Sequence, residues 1–446
     1  MRVLVVPFPW QTHVFNLVPP AWALQAAGHE VRMAVWPDQL DAVTGAGLTG
    51  VVVGPGESAQ QRALRDRRRS SARGPAAPQS GPAALRPAPA DLSALFDIRP
   101  HRERLGWPEV SGLFEDLVLP QAQRFNDPMA DDLIAYARRW RPDLVLWGAK
   151  AFAGALAAAA VGAVHARVLY SVDVYPRMRA DYLHAMAGLP TGERVDVLGD
   201  WLAGWAHRHG FAFDEDLVNG QFTVDPLPDA FRPDPRAAML PMQFVPYNGP
   251  AVVPDWLSGT EREPAVPRVL MTFGDAVNDG PVRLLLSEQR VQQILDAVAD
   301  LDIELVLTLP RTSWGALRQV PANTRLVESV PLSEVLPTCS AMVHHGGAWS
   351  FGCALRYGVP QLLVSQAFDA PLKFACLERA GAGLAMRPGE ADGPAVRAAL
   401  VRLLDDPAIR AGAARLGEEV RAMPSPNELA RTLEEAVTAA GARRAA

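Results

Sequence analysis

Residues 341–350 read Ala-Met-Val-His-His-Gly-Gly-Ala-Trp-Ser. An apolar, strand-like run (Ala341–His344) passes straight into His344-His345-Gly346-Gly347, and helix-forming sequence follows. Strand, glycine turn and helix make the repeating unit of a parallel α/β sheet. Glycine lets the backbone approach a ligand closely, and a helix start offers free N–H groups and a positive dipole end. A diphosphate suits such a place, with His345 donating a hydrogen bond and Ser350 adding a hydroxyl. A plain strand-to-helix turn asks for the same glycines, so the segment alone points two ways.

The sequence around it repeats the pattern. Arg268–Phe273, Ile303–Leu309, Arg325–Ser329 and Gln361–Val364 read as further strands, and Val291–Leu301 as a helix. Thr272 and Gly274 end the first of these strands, where a hydroxyl and a backbone N–H meet a phosphate or simply form a βα turn. Val330 follows another, where its backbone pairs with a nucleobase edge. Asp369 falls at the carboxyl end of the Gln361–Val364 unit, placed either to accept from sugar hydroxyls or to cap a helix.

The N-terminal half has its own α/β pattern. Arg2–Val6 and Glu30–Val35 read as strands around a helix at Val14–Ala27, and the pattern returns at Asp143–Trp147, Ala151–Val161 and Ala166–Leu169. Residues 1–224 thus form one expected domain, interrupted by an Arg- and Pro-rich surface loop at 60–93. The proline-dense stretch 225–267 reads as an interdomain linker. Residues 268–446 form the second domain, ending in a helix at Asn427–Ala440. Two doubly wound domains leave a ligand cleft at the carboxyl ends of their strands. The loop Trp10-Gln11-Thr12-His13 opens onto that cleft, and His13 is the side chain suited to take a proton there near neutral pH. It serves equally as a helix-start residue. The loop has no Gly-x-Gly-x-x-Gly, which excludes an ordinary dinucleotide enzyme.

Composition narrows the function classes. With 446 residues, two cores are expected. A net charge of −6 gives no basic nucleic-acid surface. Cys339, Cys353 and Cys376 have no metal-ligand spacing and read as free thiols of a reducing cytosol. No secretory signal or spanning segment is visible, so a cytoplasmic protein without membrane insertion is expected. The 43 basic residues include only two lysines, Lys150 and Lys373. With abundant Ala, Pro and Gly, that scarcity reads as GC-rich codon usage and not as function.

Several longer motifs carry a family resemblance. They include Asn16-Leu17-Val18-Pro19, Ala27-Gly28-His29-Glu30-Val31-Arg32, Trp140-Arg141-Pro142-Asp143, Phe213-Asp214-Glu215, Val245-Pro246-Tyr247-Asn248-Gly249-Pro250, His344-His345-Gly346-Gly347 and Gly358-Val359-Pro360-Gln361. Through these, over nearly its whole length, the chain resembles the actinobacterial antibiotic glycosyltransferases of glycosyltransferase family 1. The likeness is to the helper-dependent branch that moves deoxysugars or aminodeoxysugars from dTDP donors onto macrolide, anthracycline and related polyketide aglycones. The resemblance implies a GT-B fold, two Rossmann-like domains facing across a cleft. It implies an inverting, metal-independent displacement with no cofactor beyond the dTDP-sugar co-substrate, and His13 as base. Thr272, Gly274, Val330, His345, Gly346, Gly347, Trp349, Ser350 and Asp369 become the donor-binding set. Tyr170, Tyr175, Met178 and Tyr182 become acceptor contacts, although Met and aromatic residues at that spacing also make ordinary core. A cytochrome-P450-like helper protein and a homodimer are the implied partners.

Four positions depart from the pattern. Gly148 stands where the family has the acid that orients the base, and Asp173 is a carboxylate that would substitute for it. Trp349 replaces a glycine, which matters if the backbone there needs positive φ. Asp275 replaces Ser or Thr beside the diphosphate, and Ala370 replaces a polar sugar contact. These departures raise a second reading, a catalytically impaired relative that acts as a binding or helper subunit. A sugar-nucleotide epimerase would need further cleft acids, which the sequence does not supply.

Overall fold

The structure is a computed structural model that describes residues 1–58, 61, 62, 65, 106–232, 239–258, 264–273 and 286–445. The first sheet has seven parallel strands: β1 (Arg2–Val6), β2 (Glu30–Val35), β3 (Thr49–Val52), β4 (Leu144–Gly148), β5 (Val164–Val168), β6 (Phe222–Asp225) and β7 (Met239–Pro241). Their order is β3-β2-β1-β4-β5-β6-β7. The second sheet has six: β8 (Arg268–Thr272), β9 (Glu304–Thr308), β10 (Thr324–Val327), β11 (Ala341–His344), β12 (Gln361–Val364) and β13 (Gly383–Met386), ordered β10-β9-β8-β11-β12-β13. Each order reverses beside its first strand, at β1/β4 and β8/β11, and ligands of doubly wound sheets bind at such switch points.

Helices cover both faces of these sheets, so the central strands are buried on both sides and need continuous apolar runs. Residues 3–6 of β1, and all of β4 and β8, are buried. That is why these strands fall within a residue or two of where the sequence puts them, and why β2, β11 and β12 coincide with their expected spans.

Two boundaries differ from the sequence reading. β6 straddles residue 224, and β7 lies inside the proline-rich stretch read as linker, pairing with β6 through Thr223 and Met239. An edge position tolerates proline, because one side of the strand needs no donor. The final helix, Pro426–Ala445, packs on the first sheet's domain and not on the second. Leu429, Ala430 and Leu433 share a core with Leu17 and Leu24 of the Gln11–Ala26 helix, and Glu434 meets His29 Nε2 at 2.7 Å. The 60–93 loop lies outside the described residues except for Gln61, Arg62 and Arg65, and Asp275 lies outside them altogether. Among the described residues no helix is long and apolar enough to cross a membrane.

Leu433 is fully buried in this first-domain core. Leu433→Ala should cost about 2–5 kcal/mol, read as a lower urea midpoint. An unchanged midpoint would mean that the terminal helix is not part of the core.

Candidate active site

The carboxyl ends of the two sheets face a cleft of about 890 Å³. Trp10, Thr12, His13, Asn16 and Tyr170 line one wall; Thr272, Thr308, Val330, His345, Gly347, Trp349 and Ser350 line the other. The structure therefore brings together His13, Tyr170 and most of the donor-wall residues singled out in the sequence. Gly274 lies outside the described residues.

The donor wall is built from the His-Gly-Gly turn. His344 is fully buried; its Nδ1 accepts from Gly346 N (3.2 Å), so Nε2 carries the proton and donates to Gln361 Oε1 (2.9 Å). It shapes the turn and does not meet the cleft. Gly346 takes the left-handed conformation (φ 76°), and a Cβ there would press on Ser365 Oγ at 3.0 Å. At Gly347 a Cβ would run into the His345 ring. The Ala348–Tyr357 helix then begins, with Ala348, Trp349 and Ser350 at the cleft. Its unpaired first N–H groups and the dipole make an anion site. Trp349 sits inside this helix, so it needs no positive φ; its ring packs on Phe244 (5.1 Å between centroids). Nδ1 of His345 and Nε1 of Trp349 are buried polar atoms without a partner among the described residues. Burial lowers the His345 pKa to about 4, so the imidazole is neutral at physiological pH. Thr272 accepts from Thr308 Oγ1 (2.7 Å) at the end of β8.

Asp369 is not open to this cleft. It is buried; its Oδ2 accepts from Ser171 Oγ of the first domain (2.7 Å) and pairs with Lys373 Nζ (2.7 Å). Lys373 also donates to Gly346 O (2.8 Å), which ties the acid to the glycine turn. Ala370, next in sequence, is buried at the helix start and offers no polar group.

On the opposite wall His13 begins the Gln11–Ala26 helix, its ring 4.3 Å from that of Tyr170 and 5.2 Å from that of Phe8. Burial, together with the Lys150 ammonium, lowers its pKa to about 3. Gly148 ends β4 and brings no acid; a Cβ there would lie 3.3 Å from Phe8 N. Asp173 does not replace that acid. It is held by Arg167 Nη2 (2.5 Å) in a buried pair. Of the expected acceptor residues, Tyr170 lines the cleft, and Tyr175 reaches Phe368 of the second domain (6.3 Å between rings). Met178 and Tyr182 are core instead. Tyr182 is fully buried, packs on Phe114 and donates to Val195 O (2.7 Å). Lys150, Ser171 and Lys373 were not expected at the site. The scarcity of lysine was the signal for two of them, since both lysines of the chain converge here.

Two doubly wound domains, with an anion-binding helix start on one wall and a neutral histidine on the other, define a GT-B glycosyltransferase. The chain matches the family described as erythromycin biosynthesis protein CIII-like, its N-terminal domain over residues 22–64 and 103–274 and its C-terminal domain over 292–436. It belongs to that glycosyltransferase family. It is 40% identical to a 10-deoxymethynolide desosaminyltransferase of Streptomyces venezuelae, covering 97% of this chain and 96% of that one. It is 39% identical to an aklavinone 7-beta-L-rhodosaminyltransferase of Streptomyces galilaeus, covering 97% and 95%. The crystal structure of the glycosyltransferase VinC in complex with dTDP superposes with a TM-score of 0.81 at 34% identity, over 99% of this chain and 100% of that one.

Gly347→Ala should weaken dTDP binding about tenfold or more by calorimetry, because its Cβ displaces His345. Unchanged affinity would remove this turn from the donor site.

Proposed function

We propose that the protein transfers a deoxysugar from a dTDP-sugar to a hydroxyl of a polyketide-type aglycone in antibiotic biosynthesis, with inversion at the anomeric carbon. One observation carries this reading: the cleft sets the helix-start anion site of Ala348–Ser350 opposite His13. A diphosphate held at that helix start directs the anomeric carbon toward the first domain. The acceptor oxygen at His13 then attacks as the bond to the diphosphate breaks, and the positive helix end stabilises the departing charge. Thr272, His345, Gly347 and Ser350 hold the diphosphate, and Val330 faces the base. The displacement uses no metal. The names of the reported relatives, transferases of amino sugars to macrolide and anthracycline aglycones, support the substrate class.

The first domain is also where we place a cytochrome-P450-like helper. Full turnover by the purified chain alone would remove the helper from this reading. The impaired-subunit alternative drew on four departures together; Trp349 lies in a helix and needs no positive φ, Gly148 and Ala370 bring no polar side chain, and Asp275 lies outside the described residues.

The test is incubation with a panel of dTDP-sugars and aglycones, read by mass spectrometry, beside His13→Ala. A base in the transition state contributes about 10²–10⁴-fold, so the variant should lose about a hundredfold in kcat. Equal rates would remove His13 from the chemistry. The pH profile carries a second expectation. An unperturbed histidine is half protonated near 6.5, whereas the lowered His13 pKa of about 3 keeps its base form present throughout the neutral and mildly acidic range. The rate of native enzyme should therefore hold from pH 8 down to about 5; an acid limb centred near 6.5 would contradict the site as described.

A further inference from the structure

The two sheets meet in a fixed sense. On one side of the switch points the loops after β5 and β12 touch, Ser171 on Asp369 and Tyr175 on Phe368. On the other side, β2 lies beside β1 as β9 lies beside β8. The loop after β2 therefore faces the loops after β9 and β10. The cleft wall agrees: Asp38 and Gln39 of the first domain line it together with Pro310, Glu328 and Val330 of the second.

The loop after β2 is stiff. Trp36 is fully buried, Pro37 opens a single turn of 3-10 helix (Pro37–Gln39), and Gln39 N donates to Trp36 O at 3.0 Å. Gln39 is only 9% exposed, yet it belongs to the cleft wall. Its Nε2 donates to Asp38 Oδ2 at 2.7 Å, while its Oε1 has no partner among the described residues. A buried amide acceptor left unmet costs desolvation, and native structures keep few of them. Asp38 itself is exposed, so the buried amide fixes a carboxylate that a ligand in the cleft can reach. The other carboxylate at this end, Glu328, is matched by Arg311 at 3.1 Å. Among the described residues no lysine or arginine lines the cleft.

This end of the cleft thus offers acceptors and negative charge. It suits a ligand hydroxyl and repels a phosphate. We propose that Asp38, positioned by Gln39, accepts a hydrogen bond from the 3′-hydroxyl of the donor's deoxyribose. The inference rests on the donor reading above, with the base at Val330 and the diphosphate at Ala348–Ser350. The deoxyribose joins those two groups, and its one free hydroxyl is a hydrogen-bond donor opposite an acceptor. The second domain supplies less for it: beyond Ser350 the donor helix continues Phe351-Gly352-Cys353-Ala354, without a carboxylate. The contact gives the first domain a grip on the nucleotide, so the donor is held by both walls. It also makes the site selective for a nucleotide whose 3′-hydroxyl is present and unsubstituted.

The test is a cycle of two ligands and two variants, read by calorimetry with dTDP and its 3′-deoxy analogue. Native protein should bind dTDP about tenfold more tightly than the analogue, in keeping with a hydrogen bond to a charged group. Asp38→Ala should bind both alike, at the affinity native protein shows for the analogue. Gln39→Leu is close in volume and removes the amide. A reduced preference for dTDP in that variant, with an unchanged urea midpoint, marks Gln39 as a positioning residue and not merely a packing one. Equal affinities in native protein, or a preference that survives Asp38→Ala, would overturn the proposal. Either result leaves the donor site standing if Gly347→Ala still weakens dTDP binding. Failure of native protein to bind either nucleotide removes the donor reading, and the proposal falls with it.

Discussion

Everything at the centre of this molecule hangs on the buried pair between Lys373 and Asp369. A buried ion pair is sustained only when its remaining hydrogen-bonding capacity is met. Here Lys373 also donates to Gly346 O, and Asp369 also accepts from Ser171 of the other domain. One pair therefore fixes the His-Gly-Gly turn and joins the two domains across the cleft. Removing either partner leaves a bare charge in the interior, and with it the shape of the donor wall.

The fold was legible because its signals are local. An all-parallel sheet buries its strands on both faces, so β1, β4 and β11 announce themselves as apolar runs followed by turn residues. β7 carried no such signal. Its Met239-Leu240-Pro241 is short, ends in proline and lies at a sheet edge, so it looked like linker. The terminal helix was visible as a helix, but its destination depends on a long-range match with Leu17 and Leu24 that no local pattern encodes.

The site divides along the same line. Its donor half follows one strand in sequence, and a strand–glycine–helix segment reads directly as a turn that accepts an anion. Its other half is assembled from loops after β1, β4 and β5 and from a residue of the second domain. Lys150 and Phe368 are 218 positions apart in the chain, and only the closed interface makes them neighbours. Two lysines among 43 basic residues read as codon usage, and both stand at the domain interface, Lys150 against Phe368 and Lys373 on Asp369. Trp349 was misjudged for a simpler reason: the left-handed residue of the turn is Gly346, three positions earlier, so the helix accepts a large side chain.

The returning terminal helix has a mechanical meaning. The chain crosses between the domains twice, after β7 on the way out and before Pro426 on the way back, and the crossings lie side by side. Gln243 N donates to Pro424 O at 2.7 Å, and the Gln243 side chain donates to Arg421 O at 2.5 Å. A joint made of two bonded strands behaves as a door hinge and not as a ball joint. Two crossings bonded side by side resist the domains turning about the axis that connects them. His13 and the Gly347 turn are thereby held in one alignment across the cleft they both line.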